Sequence, residues 1–245
     1  DYMLQGGFPY VVKKGTSGNH QYTKDTLEYI FEHIIRHHKR IKNRDMYFAI
    51  QDYIVNNYGR AISIKSMQES LFEKLRQPIR KETLYNYLNI LEDARIVYKC
   101  SRYDMKEKRI IKGKEKYYLS DLSIYYAADL YNTLDVGPSL ENVVYAYARV
   151  HGYAVALGKS GRNEFDFAVE DANMDYSYIQ VADHIVDGKI DEKGVSIEEE
   201  EEYKPLQRIR DSYPKYILTL DKITHKKMGI KHFNVIEFML ENGEF

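Results

Sequence analysis

Apolar residues in the first third of the chain recur with the period of an α-helix, and polar or basic breaks separate the stretches. Between Thr23 and Arg44, Leu27, Ile30, Phe31, Ile34 and Ile35 fall on one side, and the end turns cationic with Arg36, Lys39, Arg40, Lys42 and Arg44. This predicts an amphipathic helix with a basic end. Three further helices are predicted over residues 47–56, over 64–74 behind Ser63, and over 81–94. In the last, Leu84, Tyr87, Leu88 and Leu91 stand at i, i+3, i+4 and i+7, which turns one stripe inward and leaves Arg80, Lys81, Thr83, Tyr85, Asn86 and Asn89 outside. The period then changes. Residues 96–103 and 109–119 are β-rich and joined by Asp104-Met105-Lys106-Glu107-Lys108, which predicts a hairpin.

The remainder alternates differently. A helix is predicted near 120–130, then a break at Gly137-Pro138 and a longer helix from Ser139 to about Val150. Strand-like runs follow at 153–157, 164–170 and 176–182, separated by turn residues at 158–161 and 171–175. A helix over 198–211 and short strands over 216–220 and 233–238 complete the pattern, with no internal repeat. The fold class expected is α+β. Three helices and a hairpin have the order of a winged helix-turn-helix, and α-β-β-β-α-β is the order of an α/β sandwich with a mixed sheet. The chain divides accordingly into a linker with its basic helix (1–45), the winged helix (46–120) and the α/β domain (121–245).

Composition narrows the classes. The 245 residues exceed one domain of roughly 150, and 44% hydrophobic with 30% charged residues is a globular balance. Cys100 is the only cysteine, which excludes an internal disulfide and a thiolate zinc cluster, so a reducing, cytoplasmic setting is expected. No run of about 18 apolar residues is present, and the opening Asp-Tyr-Met-Leu-Gln-Gly-Gly-Phe-Pro has neither a basic nor an apolar leader segment, so no membrane partner is expected. That opening, without an initiator Met, reads as the continuation of a longer protein. The 24 tyrosines suit half-buried sheet positions and stacking surfaces alike.

The net charge of −1 conceals an asymmetry. Residues 1–120 hold 23 Lys+Arg against 14 Asp+Glu, a net +9, and residues 121–245 hold 13 against 23, a net −10. Such a split marks the first half as a candidate for phosphate backbones. Arg80, Lys81, Thr83 and Asn86 on the third helix can donate to phosphates and base edges. The hairpin adds Lys99, Arg102, Lys106, Lys108, Arg109, Lys112, Lys114 and Lys116, a set suited to tracking a nucleic-acid backbone. The opposing reading is a protein-docking platform, with Glu82, Glu92, Asp93, Glu107 and Glu115 diluting the field.

Other motifs carry less. Gly158-Lys159-Ser160 ends like a phosphate-binding loop, but Gly152 lies one position too far upstream and the intervening residues are strand-like, so a hairpin turn is predicted there. His33 and His37 share a helical face without a third ligand. The run 198–202 consists of five glutamates, which as a first helical turn oppose the positive end of the helix dipole.

The string 163–169, Asn-Glu-Phe-Asp-Phe-Ala-Val, followed by Tyr178-Ile179-Gln180-Val181-Ala182, resembles the PD-(D/E)xK nuclease-like core. The resemblance implies Asp166 as the first metal-binding acid, Glu141 as the helix glutamate and Mg²⁺ as their ion. It also places Gln180 where the second acid belongs and Ala182 where the lysine belongs, which implies a degenerate site without catalytic residues. Asp183 or Lys159 would have to substitute for a metal-dependent nuclease to survive. Over more than 200 residues, strings such as Gly6-Gly7-Phe8-Pro9, 83–94, Lys116-Tyr117-Tyr118-Leu119-Ser120-Asp121, Leu140-Glu141-Asn142 and 213–221 are similar to the carboxy-terminal part of prokaryotic P-loop AAA+ ATPases carrying a DUF4143 domain. The chain has no Walker A or Walker B segment, so ATP and its hydrolysis are implied only for a core outside it. The function expected is double-stranded DNA binding by the carboxy-terminal region of such an ATPase, with the nuclease-like domain supporting binding or assembly. A metal-dependent nuclease and a protein-interaction module are the alternatives.

Overall fold

Asn43 and Ser63 set the starts of two of the first packed helices. The Asn43 side chain accepts the Met46 amide at 3.0 Å and opens α4 (Arg44–Asn56), and Ser63 accepts the Ser66 amide at 3.4 Å to open α5 (Ile64–Leu75). A third helix, α6 (Lys81–Asp93), packs against both. Tyr47, Ile50 and Ile54 from α4, Met67 and Leu71 from α5, and Leu84, Leu88 and Leu91 from α6 are buried, each worth roughly 1.5–3 kcal/mol over its exposed state. In a computed structural model, the chain is described except for residues 1, 15–18, 36–40, 42, 130–131, 186–196, 223 and 225. The basic string 36–42 and His37 therefore fall largely outside the described residues, and the amphipathic segment before it is a helix over Asn19–Ile30 continued by a π-helical turn over Phe31–Ile35.

The chain folds as two units, Asp1–Lys99 with Gly113–Asp135, and Cys100–Lys112 with Val136–Phe245. In the first, two short helices, Tyr2–Gln5 and Pro9–Lys14, precede Asn19–Ile30. These are α1, α2 and α3. After α6 the chain forms the hairpin β1 (Val97–Asp104) and β2 (Arg109–Leu119), then α7 (Ser123–Ala128). The link between α4 and α5 pairs with β2: the Gly59 amide donates to Tyr117 O and the Ile62 amide to Glu115 O, both at 2.9 Å. Gly6-Gly7, unremarked by any periodicity, folds onto the buried Asp121. Its carboxylate accepts the Gly7 and Ser123 amides at 2.8 Å each. Gly6 has φ +78, and a Cβ there would fall 2.1 Å from Asp121 Oδ1, so only glycine fits.

The second unit holds α8 (Val136–Val150), β3 (Ala154–Ser160), β4 (Asn163–Glu170), β5 (Tyr176–Val181), α9 (Ile197–Gln207), β6 (Lys215–Thr219), β7 (Lys226–Lys227), β8 (Ile230–Asn234) and α10 (Val235–Leu240). The fold is α+β with a mixed sheet of eight strands among the described residues, in the order β2-β1-β3-β4-β5-β6-β8-β7. β3, β4 and β5 are antiparallel, and β5, β6 and β8 run parallel. Tyr145 of α8 packs on Phe167, while Tyr203 and Leu206 of α9 pack with Ala168 and Tyr178. Adjacent strand residues point to opposite faces, so the two helices cover the two faces of the sheet.

Three expectations are corrected. Gly137-Pro138 does not break the chain but opens α8, since a first-turn proline lacks only an amide that would have no helical partner. The run 233–238 is the end of β8 and then α10, because the Asn234 side chain accepts the Ile236 and Glu237 amides at 2.9 and 3.1 Å and caps a helix. Gly158-Lys159-Ser160 is not the expected turn but the end of β3, paired with Phe165, Glu164 and Asn163, and the turn falls at Gly161-Arg162. Among the described residues, no helix is long and apolar enough to cross a membrane.

Candidate functional site

In the first unit, α6 presents the stripe its periodicity demands. Leu84, Tyr87, Leu88 and Leu91 are buried, Arg80, Lys81 and Asn86 are exposed, and Thr83 is half-buried. Arg80 is the residue before the first helical turn, without a side-chain cap. Lys99 is less available: it is half-buried and lies 3.8 Å from Glu115. Its charge also opposes the upward push that burial gives the Glu92 carboxyl, which Asp93 reinforces.

In the second unit, the hairpin tip is built on a buried carboxylate. Asp104 Oδ1 accepts the Lys106 and Glu107 amides at 3.0 and 3.1 Å, and Oδ2 lies 3.8 Å from Lys159 Nζ. This fixes the turn and sends Lys106 and Lys108 outward, with Lys112 exposed beyond them. Arg102 is ion-paired with Glu164, with its side chain only 15% exposed, and Arg109 pairs with Glu107 at 2.5 Å. Among the described residues, Lys106, Lys108 and Lys112 have no carboxylate partner. The distinction between spent and available cations was invisible in sequence, because Glu164 lies 62 positions from Arg102.

The acids of the nuclease-like resemblance lie in the same unit. Asp166 on β4 accepts the Val181 amide at 2.8 Å, so it closes the strand pair where the β4–β5 ladder ends. Gln180 on β5 donates to Glu202 Oε2 at 2.7 Å, and its own Oε1 is buried without a hydrogen-bond partner among the described residues. Glu202, from the glutamate run read as dipole capping, is thus a partner of Gln180. Burial pushes its carboxyl up, the Gln180 amide opposes this, and Glu201 and Glu141 add to the rise. The charge of Glu141 on α8 therefore reaches this end of the sheet. Asp166 has one oxygen committed to backbone, Gln180 is neutral and Ala182 brings no donor, and among the described residues no three His, Cys, Asp or Glu side chains converge.

A second buried carboxylate was missed by the sequence reading. Asp221 follows β6 and is 4% exposed. Its Oδ1 lies 2.9 Å from His184 Nδ1 and its Oδ2 accepts the Ile185 amide at 2.8 Å. Thr219 Oγ1 accepts the Asp221 amide at 3.1 Å and lies 2.7 Å from His232 Nε2, while Asn234 Nδ2 donates to Asp221 O at 3.0 Å. Burial would raise the Asp221 carboxyl, but the Ile185, His184 and Thr219 hydrogen bonds outweigh it and hold it below 3.8.

The family model for a domain of unknown function, DUF8612, matches residues 1–135, more than half of the chain, and ends where the first unit ends. The chain belongs to the DUF8612 family. It is also 26% identical over 242 residues to an uncharacterized protein of Haemophilus influenzae, covering 98% of this chain and 57% of that protein. An uncharacterized protein of Methanocaldococcus jannaschii is 23% identical over 180 residues, covering 73% of this chain and 38% of its own length. The chain thus spans little more than half of one curated relative and less than half of the other. The candidate cations of α6 and the hairpin, from Arg80 to Lys112, lie in the DUF8612 stretch, and Glu141, Asp166 and Gln180 lie beyond it.

Proposed function

We propose that this chain binds double-stranded DNA, residues 46–120 serving as a winged helix-turn-helix and residues 121–245 as a degenerate PD-(D/E)xK nuclease-like platform that supports binding or assembly. The observation that carries the reading is the set of exposed lysines at Lys106, Lys108 and Lys112, without carboxylate partners among the described residues, on a hairpin whose turn is held by Asp104. The exposed Arg80, Lys81 and Asn86 of α6 support it independently. In the winged-helix reading α6 is the third helix, the one that serves the major groove. In the AAA+ reading, ATP hydrolysis belongs to a nucleotide-binding core outside this chain, for which the greater length of both relatives leaves room.

Reversing Lys106, Lys108 and Lys112 to Glu together is expected to weaken duplex binding roughly a hundredfold or more and to flatten the salt slope by about three phosphate contacts at 0.9 each. The melting temperature should stay near that of the wild type, because all three side chains are exposed. Unchanged duplex affinity in this folded variant would remove the hairpin from the interface.

A further inference from the structure

A cavity of about 250 Å³ in the second unit combines rings and cations in a way the retired carboxylates do not. Its lining includes Tyr103, Tyr176 and Tyr213 and the cations Lys106, Lys108 and Arg210. The rings are held on edge: Tyr213 meets Tyr176 at 5.5 Å and 80°, and Tyr178 at 6.0 Å and 78°. Tyr178 is buried, with Lys215 over its ring, so the rings left to meet a base are the half-buried Tyr103, Tyr176 and Tyr213. The one acid, Asp211, is already committed. It accepts the Tyr178 hydroxyl at 2.7 Å and the Tyr213 amide at 3.2 Å, and Lys215 Nζ lies 3.3 Å from it. Lys106, Lys108 and Arg210 are exposed and make no ion pair among the described residues. Three cations thus face one committed acid in the lining.

We infer that this cavity receives a single unpaired nucleotide, its base among the tyrosines and its phosphate on Lys106, Lys108 and Arg210. Aromatic faces beside a cationic track are how proteins hold single-stranded nucleic acid, and a base still paired in a duplex has no ring face to offer. The cavity sits just below the roughly 300–1,000 Å³ of pockets that take drug-sized molecules, which suits a guest the size of a nucleotide. The inference rests on the DNA-binding reading and shares Lys106 and Lys108 with it, but Tyr213 and Arg210 belong to the cavity alone, so variants of these two let the readings fail separately.

The test uses the whole chain and two probes, a single-stranded oligodeoxynucleotide carrying one 2-aminopurine and the same strand fully paired. Stacking on tyrosine is expected to quench the single-stranded probe. Tyr213→Leu and Arg210→Ser should each weaken its binding about tenfold, the effect expected for loss of one stacking or phosphate contact, and leave duplex affinity unchanged. Arg210 is exposed, so its variant keeps the result interpretable if Tyr213→Leu lowers stability. Adenosine monophosphate that competes with the wild-type protein, and loses that ability in both variants, would also support the cavity and name the free nucleotide as its occupant. Single-strand binding with no quenching, or binding equal in wild type and both variants, would overturn the assignment whatever the duplex does.

Discussion

A Gly158→Ala protein is expected to lose about 3 kcal/mol of stability and to melt roughly 10 °C lower, at the upper end of overpacking costs for a unit of this size. Gly158 lies opposite Phe165 in the β3–β4 ladder, beside an irregularity between Ala156 and Gly158. A Cβ there would fall 2.0, 2.3 and 2.4 Å from three atoms of the Phe165 ring. The ring has nowhere to retreat. It is 5% exposed, meets Tyr178 at 5.1 Å, and belongs to the cluster of Tyr203, Leu206 and Ile217. Thermal melts of the four members of a double-mutant cycle check this. Phe165→Ala should itself cost about 3–5 kcal/mol, and in its background Gly158→Ala should cost under about 1 kcal/mol, because the clash has gone. Equal costs in both backgrounds would place the effect of Gly158 elsewhere.

Asp221→Asn is expected to destabilise the second unit by about 3 kcal/mol at neutral pH, since hydrogen bonds to a buried charge are the strong ones and an amide would set an N–H against a donor. The pH dependence gives the sign. The Asp221 carboxyl is held below its ordinary 3.8 in the folded protein. Its contribution is therefore fully present above about pH 4 and is lost as pH falls through the lower folded value. Denaturant unfolding across pH 2–7 should show the gap between wild type and variant widest above pH 4 and narrowing below it. A gap that widens on acidification would mean the protonated form is the one the fold prefers.

The elements that could be read from sequence are those whose cause is local. The stripe at Leu84, Tyr87, Leu88 and Leu91 and the cap at Ser63 act within one or two turns, and both α5 and α6 lie where they predict. The hairpin and the three central strands follow equally from alternation and turn residues. What escaped depends on partners far along the chain. Nothing near Arg102 announces Glu164, nothing near Gly6-Gly7 announces Asp121, and nothing near Gln180 announces Glu202. The run 233–238 was too short for periodicity to separate strand from helix, and the capping asparagine was the decisive residue. At the candidate site, the residue types were legible. Which cations remain free for a ligand was not, because ion pairing is a property of the folded chain.

The central claim is that the chain binds duplex DNA through its exposed cations, and fluorescence anisotropy of a labelled duplex, titrated at low and at moderate salt, tests it most directly. The account predicts micromolar binding at low salt and a slope of log affinity against log salt of about −3 or steeper, the contribution of at least three phosphate contacts. No binding at low salt, or an affinity indifferent to salt, would contradict it and leave the cationic hairpin as a surface for a protein partner.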